Sequence, residues 1–146
     1  MDIHNLPKEA LFSLFLQIEP EEIKTFCLTK NKKVREICNS EYFRETYKQK
    51  YRKVDLSYRD DLTEKDFQSL VGVYSVNLFD SDVINDMLKY LSGVHTIDLG
   101  YTKVTDEGMK YLTGVHTIDL YNTQVTDEGL KYLSSTGTKK IVRNEK

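Results

Sequence analysis

Residues 93–113 and 114–134 are near copies: GVHTIDLGYTKVTDEGMKYLT is followed directly by GVHTIDLYNTQVTDEGLKYLS. Gly93 returns as Gly114, Leu99 as Leu120, Val104 as Val125 and Leu112 as Leu133, a constant step of 21 residues. One step back falls on Gly72, Leu78, Val83 and Leu91. A further step reaches Leu62, Phe67 and Leu70, with one extra residue between Leu56 and Leu62. About four units therefore run from roughly residue 53 to residue 134. A unit this short cannot cover its own apolar side, so the copies must stack and share one continuous core.

Inside each copy, Ile97-Asp98-Leu99 alternates apolar and polar as a half-buried strand does, whereas Met109 and Leu112 recur at helical spacing. Thr105-Asp106-Glu107 and Thr126-Asp127-Glu128 have the composition of helix starts, with oxygens to accept free first-turn amides and acids at the positive end. Each unit is thus predicted to be a strand, a turn and a short helix. Leu78, Leu99 and Leu120 should form one buried column, and Val83, Val104 and Val125 the next. Val94, Ile97, Leu99, Thr102 and Val104, and again Val115, Ile118, Leu120, Thr123 and Val125, fill the spacing L-x-x-L-x-L-x-x-N-x-L. The array resembles the leucine-rich repeats. That resemblance implies an α/β solenoid with a parallel sheet, residues 52–134 forming the repeats and residues 135–146 a tail or partial last strand.

If Leu99 faces the core, its strand neighbours face the other, concave side. Asp55, Asn77, Asp98 and Asp119 then form one column, whose three carboxylates invite a basic ligand or a metal but stay hydrated on an open face in the favoured reading. The next column, Ser57, Phe79, Gly100 and Tyr121, varies between otherwise matching copies, as do Tyr101 against Asn122 and Lys103 against Gln124. Exposed aromatics on a rigid surface suit partner recognition. The candidate target-binding set is Asp55, Asn77, Phe79, Asp98, Tyr101, Asp119 and Tyr121. Ser81, Thr102 and Thr123 stand where the family has an Asn ladder, and their hydroxyls should bond the turn backbone. His95 and His116 are duplicates for which no metal is expected, because a site needs further ligands in closed geometry. Tyr90, Tyr111 and Tyr132, each beside a Lys, should pack on the helix side.

Residues 54–130 carry 14 acids against 5 basic side chains, whereas the last sixteen residues carry 5 basic side chains against 1 acid. Binding to nucleic acid is dominated by Lys and Arg neutralising phosphates, so an acidic array disfavours that partner. No G-x-S-x-G, P-loop or H-E-x-x-H occurs, so neither an enzyme nor a cofactor is expected. No run approaches the roughly 18 apolar residues of a membrane span, and MDIHNLPKEA lacks the pattern of a signal peptide. Cys27 and Cys38 form no C-x-x-C motif and are expected to be buried, reduced thiols of a cytoplasmic protein. A frayed or partner-covered C-terminus is expected, since no polar-faced capping unit follows Leu133.

Residues 1–51 read differently. Ala10, Leu11, Leu14, Phe15 and Ile18 form the stripe of an amphipathic helix that opens near Pro7. Pro20 restarts the chain into a helix carrying Ile23, Phe26 and Cys27. A third helix holds Val34, Ile37 and Cys38, and Asn39-Ser40-Glu41 starts a fourth with Phe43, Tyr47 and Tyr51. Leu-Pro-x-Glu, the first amphipathic helix, Glu22-Ile23, Thr29-Lys30 and the later aromatic Phe43 together resemble the F-box, most closely those of F-box proteins encoded by large DNA viruses of amoebae. Val34 stands where the family commonly has Trp. The resemblance implies an all-α segment packed on the repeats that binds the Skp adaptor of an SCF-type cullin-RING ubiquitin ligase through Leu6, Pro7, Leu11, Leu14, Phe15, Ile23 and Phe26. The chain would then be a substrate receptor in the cytoplasm, the host's if viral, with the repeats holding a target protein, possibly a basic segment. A decoy that occupies the adaptor, and a repeat module with no ligase link whose N-terminal segment only caps the first repeat, are the alternatives.

Overall fold

The computed structural model describes residues 6–144, which divide into two compact units, one up to Tyr51 and one from Arg52 on. The first unit consists of four helices: α1 (Lys8–Phe15), α2 (Pro20–Cys27), α3 (Lys32–Asn39) and α4 (Glu41–Lys50). Pro7 is the residue just before α1 and Pro20 is the first residue of α2, a place where the missing N–H costs nothing. Asn31 and Ser40 cap α3 and α4 by accepting the amides of Val34 and Phe43. These short helices carry one stripe each, and the stripes meet in a core of Leu11, Phe15, Val34, Ile37, Cys38 and Phe43. The rings of Phe12, Phe15, Phe26 and Phe43 meet edge to face around it.

Cys27 and Cys38 are joined in a disulfide, with Cα atoms 5.8 Å apart. This corrects the expectation of reduced thiols. The stripes that pack α2 against α3 bring both cysteines to one spot, a proximity that their separation of 11 residues and lack of a motif conceal. Among the described residues no helix is long and apolar enough to cross a membrane.

The second unit is a five-stranded parallel sheet in sequence order: β1 (Lys53–Asp55), β2 (Ser75–Asn77), β3 (Thr96–Asp98), β4 (Thr117–Asp119) and β5 (Lys140–Val142). Between successive strands the chain crosses through α5 (Glu64–Gln68), a 3₁₀ helix (Asn85–Leu91), α6 (Asp106–Met109) and α7 (Asp127–Ser134). Copies pair in strict register, Val76 with Ile97 and Ile97 with Ile118. Each three-residue strand turns its middle residue inward, and Leu78, Leu99 and Leu120 follow as a buried column. Val83 and Val104 are fully buried, while Val125, nearer the end of the stack, is only partly so. Thr105 and Thr126 stand at the helix starts as expected, and Thr63 adds a reciprocal capping box with Asp66.

Of the two expectations for residues 135–146, the partial last strand is the one the described residues form, at Lys140–Val142, in place of a frayed end. Ile141 pairs with Ile118 and packs on the core, and the amides of Lys139 and Lys140 donate to His116 O at 3.0 and 3.1 Å. Arg143 reaches Asp127 at 2.8 Å, and Asn144 Oδ1 accepts the amide of Asn122 at 2.8 Å. Gly137, at φ 87°, plays the part of Gly72, Gly93 and Gly114 three residues before each strand. A left-handed residue there turns the chain from helix back into strand, and only glycine takes that conformation freely.

Candidate functional site

The open face of the sheet carries the predicted column Asp55, Asn77, Asp98 and Asp119, in register across β1 to β4. These side chains are not idle. Each Oδ1 accepts the backbone amide two residues on: Asp55 from Ser57 at 3.0 Å, Asn77 from Phe79 at 3.0 Å, Asp98 from Gly100 at 2.9 Å and Asp119 from Tyr121 at 2.8 Å. The column closes a turn at the end of each of β1 to β4, a role open to Asp and Asn alike. Hydroxyls complete the turns, Ser81, Thr102 and Thr123 donating to the carbonyls of Leu78, Leu99 and Leu120, as the sequence predicts.

Identical chemistry meets different electrostatics along this column. The Ser57 hydroxyl and amide hold the Asp55 carboxyl below its ordinary value. Partial burial pushes Asp98 up, the Gly100 amide opposes that rise, and neighbouring Asp119 adds to it.

Beyond the turns lies a row of rings. Tyr58, Phe79, Tyr101 and Tyr121 follow one another with centroids 5.5, 5.1 and 5.6 Å apart. Tyr58, Tyr101 and Tyr121 are 71%, 45% and 44% exposed. The row draws one ring from each turn, but alternately: Tyr58 and Tyr101 occupy the left-handed position, at φ 59° and 57°, whereas Phe79 and Tyr121 precede it. At the matching left-handed positions stand Asp80 and Asn122. Backbone bonds fix the spacing, since the amide of Tyr58 donates to Phe79 O, Asp80 to Gly100 O and Tyr101 to Tyr121 O, each at 2.8 Å.

Of the predicted set, Phe79, Tyr101 and Tyr121 thus come together, with the four acid and amide side chains bonded into the turns beneath them. Tyr58 joins them although its column does not predict it. The extra residue in the first unit hides its correspondence, and the alternation between two neighbouring columns hides the row as a whole. Gly100 is the reason a ring fits at Phe79: a Cβ there would lie 3.0 Å from Phe79 Cδ2 and 3.2 Å from Asp98 Oδ1.

At the other end of the strands Tyr74, His95 and His116 stack with centroids 4.5 and 4.4 Å apart, and Nδ1 of each histidine lies 2.9 Å from the hydroxyl of the next threonine. Among the described residues no group of three or more His, Cys, Asp or Glu converges as metal ligands would. On the helix side, Lys89 and Lys110 sit over the rings of Tyr90 and Tyr111, the packing role expected there, while Tyr132 is 46% exposed.

In the helical unit the predicted adaptor-binding residues separate into two groups. Leu11 and Phe15, 1% and 2% exposed, form the centre of the core and cannot offer a contact surface while the unit is folded. Leu6, Ile23 and Phe26 are half-buried against that core, and Pro7 and Leu14 are exposed. An amphipathic stripe does not reveal which of its members are covered by the next helices. Exposed Leu28 and Tyr42, 83% and 74%, lie outside the predicted set. Tyr42 stacks on Phe12 beside an open groove of about 530 Å³ between α1 and α3, floored by Phe12 and Ile37. The Lys8–Glu36 ion pair at 3.2 Å stands at its rim. Phe43 lies in the core of the helical unit, and the hydroxyls of Tyr47 and Tyr51 donate to Ile18 O and Leu16 O at 2.6 and 2.9 Å.

Compared with known proteins, the sequence matches no family model, and no curated protein matches it.

Proposed function

We propose that the chain is an F-box/leucine-rich-repeat protein, an α/β solenoid behind a helical adaptor-binding unit, acting as a substrate receptor of an SCF-type cullin-RING ubiquitin ligase. In this reading the helical unit docks a Skp-type adaptor and the repeats hold a target protein near the ligase. Ubiquitin transfer belongs to the partner subunits, and the chain contributes rigid placement in the cytoplasm.

The observation that carries the reading is the state of the helical unit. It closes a complete core of its own, yet Leu14, Leu28 and Tyr42 remain exposed and an apolar groove stays open beside Phe12 and Ile37. A contiguous apolar patch, unlike apolar residues scattered singly, marks an interaction site, and the groove of Phe12, Ile37 and Tyr42 is such a patch.

The test is capture of the full chain on a recombinant Skp-type adaptor, wild type beside Leu14→Glu. Leu14 is 40% exposed, so the change leaves the core intact. Capture of the wild type and loss with Leu14→Glu, at unchanged circular dichroism, supports the reading. No capture of the wild type reduces the protein to a repeat interaction module. Capture without depletion of any protein on coexpression, but with accumulation of other receptors' targets, identifies a decoy.

A further inference from the structure

We infer that the ring row Tyr58–Phe79–Tyr101–Tyr121 binds an extended segment of a partner protein through its arginine side chains. The inference deepens the reading of the repeats as the target-holding surface, by giving the target its chemistry.

Three observations lead to arginine. First, Tyr58, Tyr101 and Tyr121 are exposed and Phe79 half-buried, yet each stands on a turn bonded to the next, so binding orders little that is not already ordered. Rigid aromatics of this kind supply contact area at low entropic cost. The steps of 5.1–5.6 Å make a row that an extended chain, rising about 3.3 Å per residue, follows with roughly five residues.

Second, carboxylates stand beside the rings. A Cβ at Gly100 would touch both Phe79 Cδ2 and Asp98 Oδ1, so a ring face and a carboxylate converge over one glycine. Asp98 gives Oδ1 to the turn, and among the described residues its Oδ2 has no hydrogen-bond partner. Exposed Asp80, next to Phe79, forms no ion pair among the described residues. A planar guanidinium stacks on an aromatic face while its edge bonds a carboxylate, which an ammonium cannot do in the same way.

Third, the surrounding charge matches. Residues 54–130 carry 14 acids against 5 basic side chains. Among the described residues the cations paired beside the row are Arg59, held by Asp61 at 2.6 Å, and Lys103, a loose 3.8 Å from Asp82 and 83% exposed. Asp98 is also held above its ordinary pKa by burial and, less strongly, by Asp119, so an arriving cation relieves an existing cost. A neutral ligand that only stacks, such as a glycan, would leave these carboxylates without a role.

The experiment titrates the full chain with a labelled peptide of alternating glycine and arginine at about 150 mM salt, where unspecific surface attraction is screened beyond ~8 Å. Peptides with lysine or glutamine in place of arginine run beside it. The variant is Tyr58→Asn with Tyr101→Asn, which removes two rings at constant charge; Asn122 shows that asparagine suits this left-handed position. Expected are saturable binding of the arginine peptide, weaker binding of the lysine peptide, none of the glutamine peptide, and a loss of about tenfold or more in the double variant. Absence of wild-type binding overturns the inference. So does a double variant that binds as tightly as wild type, which would leave only general acidity. Because the peptide never meets the adaptor, failure here is distinct from failure of adaptor capture.

Discussion

Asp98 Oδ1 accepts the backbone amide of Gly100 at 2.9 Å, the same bond that Asn77 makes to Phe79 one repeat earlier. The turn therefore needs an oxygen at this position but no charge, and at Asp98 the charge is a burden. Partial burial and then, against the Gly100 bond, Asp119 raise its pKa above the ordinary 3.8. The folded state takes up that proton more readily than the unfolded chain, so this contribution to stability is present at low pH and is lost as pH rises through the shifted value. Asp98→Asn should keep the turn and remove the loss, raising stability at neutral pH. Chemical denaturation of both proteins at pH 7 and below pH ~4 checks it: the difference should shrink in acid.

Leu11→Glu with Phe15→Glu should unfold the helical unit outright. Both side chains are at the centre of its core, and removal of a buried Phe alone costs about 3–5 kcal/mol before any charge is buried. Far-ultraviolet circular dichroism should show lost helix, whereas Leu14→Glu should match wild type. Loss of adaptor binding in the first variant would accordingly say nothing about the contact surface; the second variant is the informative one.

The Cys27–Cys38 disulfide closes a short loop joining the C-terminal end of α2 to α3. Restricting an unfolded loop of this length stabilises by about 3 kcal/mol. Reductant, or Cys27→Ser with Cys38→Ser, should therefore lower the thermal midpoint of the helical unit and leave the sheet transition where it is. Calorimetry of the full chain with and without reductant separates the two transitions.

Legibility in the sequence followed the degree of duplication. The copies Ile97/Ile118 and Leu99/Leu120 disclose strand, inward face and register, because a repeated error in either would expose a whole column. β5 is legible only as a tail or partial last strand, because Gly137 comes 23 residues after Gly114, not 21, and the segment around Ile141 is largely charged. What it shares with the other strands is the left-handed glycine before it, a backbone signal and not an apolar one. The Asp column was seen as a surface, but its turn-closing bonds depend on geometry two residues away. In the helical unit no copy exists to compare. Leu11 and Leu14 sit on one apolar stripe, yet one is core and the other surface, because helices distant in sequence decide which is covered.

Gly108 and its copy Gly129 give the last prediction, where local preference and packing oppose each other. Alanine in place of a helical glycine ordinarily stabilises by about 1 kcal/mol. In α6, however, a Cβ at Gly108 would lie 2.7 Å from Asn85 Oδ1 and 2.8 Å from Leu88 Cδ1. Asn85 is not free to yield: its Oδ1 accepts the Thr105 amide at 3.0 Å and its Nδ2 donates to the Thr105 hydroxyl at 2.8 Å, tying one repeat to the next. Asp106 ties Thr126 in the same way in the following unit, and there Gly129 leaves the space. Overpacking of this kind costs about 1–3 kcal/mol, which exceeds the gain in helix preference. Gly108→Ala should thus destabilise the repeats, and Asn85→Ala should lower the cost of a second change, Gly108→Ala, by removing the obstructing amide. A double-mutant cycle by urea denaturation reads this coupling directly; additive effects would mean that the close approach of these two side chains is not what the glycine serves.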